Sequence, residues 1–259
     1  YNYDKMGDSV TAKSYIDKFF AANPPVNKIE STDYVLDGKI LAKFPGSEAV
    51  AAAALQKAID VDTVMANKID YMNVMADMYN KAKMFDSQII VQTKLFAMKP
   101  KPSGRDYYDI TKAAIDAKNC VLADSLSKLY IAAYPDLPQG YTFSVSANKM
   151  CDVDTTKGLA VEPVNNYINF LKKDIEKNRK TIYNNYNYLL VFHAQYAKDL
   201  QKAIGDCDSM IALYPDVASE EYKFPTDTKV QLQKALQKKG GTGGTTPPAK
   251  PNGGGAKLN

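Results

Sequence analysis

The sequence predicts an all-α fold in which helical hairpins stack into a solenoid, and three observations lead to this prediction. Apolar residues recur at steps of three and four through most of the chain. An interval of twelve residues from an alanine to a proline occurs three times, ending at Pro24, Pro135 and Pro215. Strand patterns bounded by glycine are scarce. Because one hairpin cannot bury its apolar face alone, we expect about five to six stacked hairpins and a C-terminal capping helix.

The clearest hairpin lies at residues 107–136. One face of its first helix carries Tyr107, Ile110 and Ala114. After a polar turn at residues 118–119, a second apolar stripe carries Leu122, Ala123, Leu126, Leu129 and Tyr130 and ends before Pro135. The pattern therefore predicts two short helices that pack against each other and against neighbouring hairpins.

The same pattern divides the rest of the chain. The predicted hairpins are about 1–24 (partial), 33–62, 67–100, 104–135, 139–174 and 178–215, followed by a cap at 226–239. Residues 240–259 are rich in Gly and Pro, which predicts a disordered tail. The first hairpin shows only the end of its leading helix, so we expect the protein to extend upstream. An isolated copy is expected to self-associate through this open repeat.

These spacings resemble the tetratricopeptide repeat family. Its first helix carries an aromatic residue, a Leu-small pair and a tyrosine, and its second helix carries alanine, an aromatic residue and proline. The resemblance covers roughly residues 1–236 and implies a right-handed α-solenoid of TPR-like hairpins. The chain departs from the pattern in lacking Trp and in three residues: Asp37 precedes Gly38, Asn187 replaces the leading aromatic, and Gln88 stands where other copies have alanine. A HEAT-like array is the alternative fold, but its helices would not repeat the alanine-to-proline interval.

Composition narrows the classes of function. The formal net charge of +4 shows no concentration of basic residues, so we expect no nucleic-acid partner. No apolar run approaches the roughly 18 residues that a membrane span needs. The N-terminus carries no charged-apolar-small secretory pattern.

Catalytic and metal-binding patterns are weak. His193 is the single histidine, and without a carboxylate and a nucleophile at helical spacing it makes no triad, so we expect a packing or surface role. No second histidine or cysteine pair supplies a zinc site, and no Gly-rich phosphate loop precedes a helix. The sequence therefore predicts a protein that is not an enzyme and has no cofactor.

Three cysteines are too few and too scattered for a disulfide framework. Cys120 and Cys151 fall along one edge of the predicted stack. Neighbouring hairpins pack about 8 to 10 Å apart, whereas a disulfide needs Cα atoms within about 7 Å. We therefore expect ordinary thiols, with a Cys120–Cys151 bridge as the alternative.

The resemblance also implies a binding face, because leading helices line the concave surface in that family. Transferred hairpin by hairpin, the candidate residues are Val35, Lys39, Asn73, Asp77, Asn80, Tyr108, Lys112, Ile115, Thr142, Ser146, Lys149, Tyr188, Phe192 and Gln195. The alternative is that these positions are solvated and that binding uses an edge or the tail. None of them pairs Lys with Asn one turn apart, which argues against the carboxylate grip of chaperone-tail adaptors.

The function expected from this pattern is a protein–protein interaction scaffold that holds a protein segment or docks in a larger assembly. A glycan- or cell-wall-binding module that uses surface tyrosines is the alternative, since the chain has 18 tyrosines. The Tyr- and Asn-rich, Trp-free composition resembles that of TPR proteins of Gram-negative cell envelopes. We therefore expect the periplasm or cell envelope, with the cytoplasm as the alternative.

Overall fold

The structure is a computed structural model that describes residues 2–22, 24–25 and 28–240, so residues 241–259 of the predicted tail lie outside it. All regular structure in the described residues is helical, which confirms the all-α prediction. The helices are α1 (Asn2–Lys5), α2 (Ser9–Ala21), α3 (Ser31–Leu41), α4 (Glu48–Val61), α5 (Met65–Lys81), α6 (Phe85–Met98), α7 (Gly104–Asp116), α8 (Cys120–Ala133), α9 (Pro138–Cys151), α10 (Val161–Leu171), α11 (Ile175–Val191), α12 (Leu200–Leu213) and α13 (Glu220–Gly240).

The chain divides between Val153 and Asp154 into two compact units. The first unit contains α1 to α9, and each of its helices from α3 onward packs against the next in sequence. The second unit contains α10 to α13, where α11 packs on α12 and α12 on α13. Each unit is therefore built from helices that pack on their sequence neighbours, as in a solenoid of hairpins.

The turns of four hairpins share the same backbone conformation. The first turn residue adopts the left-handed backbone region that favours glycine, and the second precedes the next helix. In three turns the side chain of the second residue accepts a hydrogen bond of 3.0 to 3.1 Å from the backbone N–H three residues on. The pairs are Gly7–Asp8, Lys83–Met84, Lys118–Asn119 and Lys198–Asp199, with φ of +83°, +57°, +58° and +56° at the first residue.

Small residues let the paired helices approach closely. A Cβ atom at Gly38 would lie 2.6 Å from Leu55 Cγ and 3.0 Å from the Ala51 carbonyl oxygen, so α3 and α4 need glycine there. A Cβ at Gly140 would lie 2.9 Å from Ile131 Cγ1, which has the same consequence for α8 and α9. These contacts set how far apart the two helices lie, and hence where each leading helix presents its outer side chains.

The core of the first unit is largest across α3 to α6. Its buried members include Leu55, Met72, Met75, Val91 and Leu95, with Tyr34 and Tyr79 packed at its edge. In the second unit the core joins Leu190 of α11 to Ala203, Cys207 and Met210 of α12, with Leu232 of α13 against it. Burying side chains of this size contributes about 1.5 to 3 kcal/mol each, so these clusters hold the hairpins together.

The buried carboxylate of Asp62, at the end of α4, joins three helices. It accepts hydrogen bonds from the Ser31 hydroxyl at 2.7 Å and the Tyr71 hydroxyl at 2.9 Å. It also accepts from the Val64 backbone N–H at 2.8 Å and the Asn67 amide at 3.1 Å. The Val64 and Ser31 bonds are the main reason that the pKa of Asp62 falls to about 2.

The expectation of three free thiols is wrong. Cys120 and Cys151 form a disulfide with their Cα atoms 5.5 Å apart, and only Cys207 is free among the described residues. The estimate failed because it used the distance between helix axes. Cys120 begins α8 and Cys151 ends α9, and since these consecutive helices run antiparallel, the two ends meet at one side of the hairpin pair.

None of the helices in the described part of the chain is long and apolar enough to span a membrane.

Candidate functional site: a cleft and a recess in the first unit

A cleft of about 770 Å³ lies beside α3 and α5 in the first unit. We call it the lysine cleft. Its lining residues are Asp4, Lys39, Ala42, Lys43, Pro45, Glu48, Val74, Asp77, Met78, Lys81 and Ala82. Because α3 and α5 are the leading helices of consecutive hairpins, the cleft lies where the sequence predicts the binding face.

The lining of the lysine cleft combines charged and apolar side chains. Lys43 pairs with Asp4 at 2.6 Å. Glu48 accepts a hydrogen bond from the Gly46 backbone N–H at 3.1 Å, and bonds of this kind lower the pKa of Glu48. Within the described residues Lys39 and Lys81 have no salt-bridge partner. The ammonium groups of Lys39 and Lys81 are therefore available to a ligand in the cleft.

A second opening of about 80 Å³ lies beside α5, α6 and α7, and we call it the amide recess. Its lining residues are Asn73, Ala76, Asp77, Asn80, Gln88, Gln92, Leu95, Phe96, Arg105, Asp106 and Asp109. Asp77 lines both openings. The two openings therefore have one lining residue in common.

Two side-chain amide oxygens of the recess lack hydrogen-bond partners. Gln88 is only 7% exposed, and its Oε1 atom makes no hydrogen bond. Gln92 Oε1 is likewise buried and without a partner. A buried acceptor left unpaired costs about 1 to 3 kcal/mol, and such groups are rare in folded proteins. The two glutamines therefore call for a structural or functional reason.

The three carboxylates that line the recess differ in their hydrogen-bond and salt-bridge partners. The carboxylate of Asp106 is held by Lys99 and by the Ser103 hydroxyl, and these bonds outweigh the effect of burial and lower its pKa. Asp109 accepts a hydrogen bond from Arg105 Nε at 2.7 Å. That bond is the main cause of a raised pKa at Arg105, to which Asp77 contributes a smaller share. Asp77 itself makes no hydrogen bond or salt bridge in the described part of the chain.

The structure brings together four of the sequence-predicted candidates. Lys39 and Asp77 line the lysine cleft, and Asn73, Asp77 and Asn80 line the amide recess. Val35, by contrast, is 8% exposed and belongs to the core, so it is not available to a ligand.

The other candidates of the first unit line neither opening. Tyr108 packs on Phe143 of α9, with ring centroids 5.3 Å apart, and the Arg105 guanidinium lies 5.5 Å from its ring. Lys112 is paired with Asp116 at 2.5 Å. Ile115, Thr142, Ser146 and Lys149 lie on α7 and α9. These six residues stay predictions about the binding face.

Tyr188, Phe192 and Gln195 belong to the second unit. Phe192 begins a π-helical turn, Phe192–Tyr196, and its ring lies over Gly158, where an added Cβ would be 2.3 Å from Phe192 Cζ. Gln195 is exposed and Tyr188 is half-buried. These three stay predictions about that unit.

Sequence reasoning did not place Lys43, Lys81, Gln88 or Gln92 at a site. Of these, Gln88 carried a signal, because it replaces the alanine found at the same place in other hairpins. The lysines carried none, since charged residues at the end of a helix are ordinary.

His193 is buried and forms a pair with Asp206, with Nδ1 2.6 Å from Oδ2. Burial raises the pKa of Asp206, although its bond to His193 opposes the rise. No group of three or more His, Cys, Asp or Glu residues able to hold a metal ion occurs among the described residues. The position of His193 is that of a packed residue, in agreement with the role expected for it.

Comparison with solved structures gives a match across most of the chain. The C-terminal part of a TPR repeat-containing protein from Cytophaga hutchinsonii is 24% identical, covers 86% of this chain and 83% of that chain, and has a TM-score of 0.55. This chain has a tetratricopeptide-like fold. The resemblance drawn from its residue spacings is confirmed at the level of the fold.

Two further structures match more loosely. MamA MSR-1 C2 is 12% identical, covers 68% of this chain and 92% of that chain, and has a TM-score of 0.44. BtubC from P. vanneervenii is 8% identical, covers 90% of this chain and 100% of that chain, and has a TM-score of 0.41. No protein-family model matches the chain, and no curated protein matches it.

Proposed function

We propose that this protein is a non-catalytic scaffold whose leading helices α3 and α5 bind a segment of a protein partner. The lysine cleft is the observation that carries the proposal. Its volume of about 770 Å³ suits several side chains of a ligand. Among its lining residues, Ala42 and Val74 supply apolar contact, while Met78 is only 5% exposed. Lys39 and Lys81 supply charges that orient a ligand, as the few polar groups of a binding site commonly do.

The fold supports this proposal, because stacked hairpins expose extended surfaces rather than enclosed catalytic pockets. The glycan alternative is less well supported. Several of the tyrosines that it needs on the surface lie between helices instead. Tyr71 and Tyr130 are buried, and the rings of Tyr107, Tyr130 and Tyr134 pack on one another.

The proposal is tested by site-specific photo-crosslinking in the source cells. A photoreactive residue at Lys39, inside the cleft, is expected to capture a discrete protein partner. The matched control is Ile90, a 59% exposed residue of α6 that lines neither opening. The charge reversal Lys81→Glu should abolish capture at Lys39. Capture from Ile90 but not from Lys39 would place the partner elsewhere, and capture of glycan alone would favour the alternative function.

We also propose that the protein works in an oxidising compartment such as the periplasm or cell envelope. The Cys120–Cys151 disulfide supports this proposal, because disulfides persist in such compartments and are rare in the cytosol. Trapping free thiols in intact cells with a heavy maleimide tests it. A protein that takes up three labels on denaturation, one at each cysteine of the sequence, would contradict the proposed location.

A further inference from the structure

The amide recess holds more hydrogen-bond acceptors than the protein itself satisfies. The Oε1 atoms of Gln88 and Gln92 have no hydrogen-bond partner, and both residues line the recess. The Gln88 residue is only 7% exposed. Alanine stands at the place of Gln88 in other hairpins, so the fold does not need a polar group there. Each of these oxygens has almost no exposed surface, so a ligand that brings hydrogen-bond donors would reach them once the side chains around the recess shift.

The charges around the recess favour a cationic donor. The lining contains the carboxylates of Asp77, Asp106 and Asp109 and a single cation, Arg105. Lys99 neutralises Asp106, and Arg105 neutralises Asp109. Asp77 is left without a salt bridge in the described part of the chain.

Arg105 does not satisfy the two amides. Its side chain is 78% exposed, and it is held at the rim by Asp109 and by the ring of Tyr108. Arg105 therefore leaves both acceptors unpaired.

We propose that the amide recess binds the guanidinium end of an arginine side chain carried by an extended protein segment. A guanidinium is planar, always charged and has five N–H donors and no acceptor, which matches a site of carbonyl and carboxylate oxygens. The volume of about 80 Å³ accommodates the end of one side chain and not a folded element.

This inference rests on the proposed function. Asp77 lines both the recess and the lysine cleft, so we place the arginine on the same segment that lies in the cleft.

The test is an NMR titration of the full chain, with the side-chain amide signals of Gln88 and Gln92 as the readout. The probe is N-acetyl-arginine amide, and its control is N-acetyl-citrulline amide, which has nearly the same shape but no charge. Arginine amide should shift both amide signals along a saturable curve, and citrulline amide should shift them far less. Gln88→Ala and Asp77→Asn should each weaken binding by about tenfold, since each removes a partner of a charged donor.

Two variants serve as controls for general effects. Asp86→Asn removes an exposed carboxylate from the same helix as Gln88, and Gln56→Ala truncates an exposed glutamine of α4. Both should leave the titration unchanged.

Equal shifts with arginine amide and citrulline amide, or no saturable shift, would overturn the inference. Larger shifts with a neutral oligosaccharide such as maltotriose would overturn it in favour of a sugar. The titration and the crosslinking experiment distinguish failure of this inference from failure of the proposed function. Crosslinking of a partner at Lys39 with no response to arginine amide refutes the recess alone. A saturable response in the recess without a crosslinked partner refutes the scaffold.

Discussion

Removing the disulfide should destabilise the first unit by a predictable amount. The double substitution Cys120→Ser with Cys151→Ser deletes the bridge and keeps side chains of similar size. The bridge joins residues that are 31 apart in sequence. Cross-linking reduces the conformational entropy of the unfolded chain, so its loss lets the unfolded state gain entropy while the folded helices α8 and α9 keep their packing.

The expected effect follows from loop length. For a loop of about 31 residues the chain-entropy relation corresponds to about 3.7 kcal/mol at 25 °C. A change of 1 kcal/mol moves Tm by about 2 to 4 °C in domains of about 150 to 250 residues. The first unit ends at Val153. The double variant should therefore melt about 7 to 15 °C below the oxidised protein if the first unit unfolds as a whole.

Circular dichroism melts with and without reductant measure this difference. Reductant should lower the Tm of the natural sequence and leave the double variant unchanged. Cys207→Ser, at the remaining cysteine, is the matched control, and it should keep the full response to reductant. If the oxidised protein and the double variant melt together, the entropic reasoning is wrong. If the unreduced, denatured protein titrates with three thiols, the bridge does not form.

Further predictions concern single positions. Lowering the pH from about 4 to about 2 should destabilise the protein, because the pKa of Asp62 is near 3.8 in the unfolded chain and about 2 in the folded chain. In Asp62→Asn the urea midpoint should change less with pH across that window. Lys118→Gly should stabilise the protein by about 0.5 to 1 kcal/mol in urea unfolding, since lysine at φ +58° is strained; equal stability would argue against strain. Gly38→Ala should cost about 1 to 3 kcal/mol in the same assay, because the new Cβ meets Leu55, and unchanged stability would mean that α3 and α4 can separate. Cys207 should resist alkylation until the protein unfolds, because burial raises the pKa of its thiol to about 11; rapid labelling of the native protein would contradict this.

Prediction from sequence succeeded where the signal was local and repeated. The three alanines of the alanine-to-proline interval, Ala12, Ala123 and Ala203, are all at most 3% exposed. The polar turn at residues 118–119 joins α7 and α8, and the next helix begins at Cys120. Both features are contained in a single helix or turn with its flanking residues, which is the range over which helix periodicity carries information.

Prediction failed for the cysteines and did not reach the recess at Gln88, because both depend on neighbours distant in the chain. The repeat pattern marked Gln88 as a departure from alanine, but which side chains surround it depends on how α5, α6 and α7 pack. The Cys120–Cys151 bridge required knowledge of which helix ends meet, and the estimate from axis spacing could not supply that.

The sequence by itself determined the all-α class and the tetratricopeptide-like order of helices, because amphipathic periodicity and turn residues are written into short stretches of chain. The tertiary structure alone decided that Lys39 and Asp77 share a cleft, that Gln88 faces a recess and that Cys120 reaches Cys151. Those outcomes depend on the distance and rotation between packed helices. Close contacts such as Gly38 against Leu55 set that geometry, and helical spacing along one chain segment does not specify it.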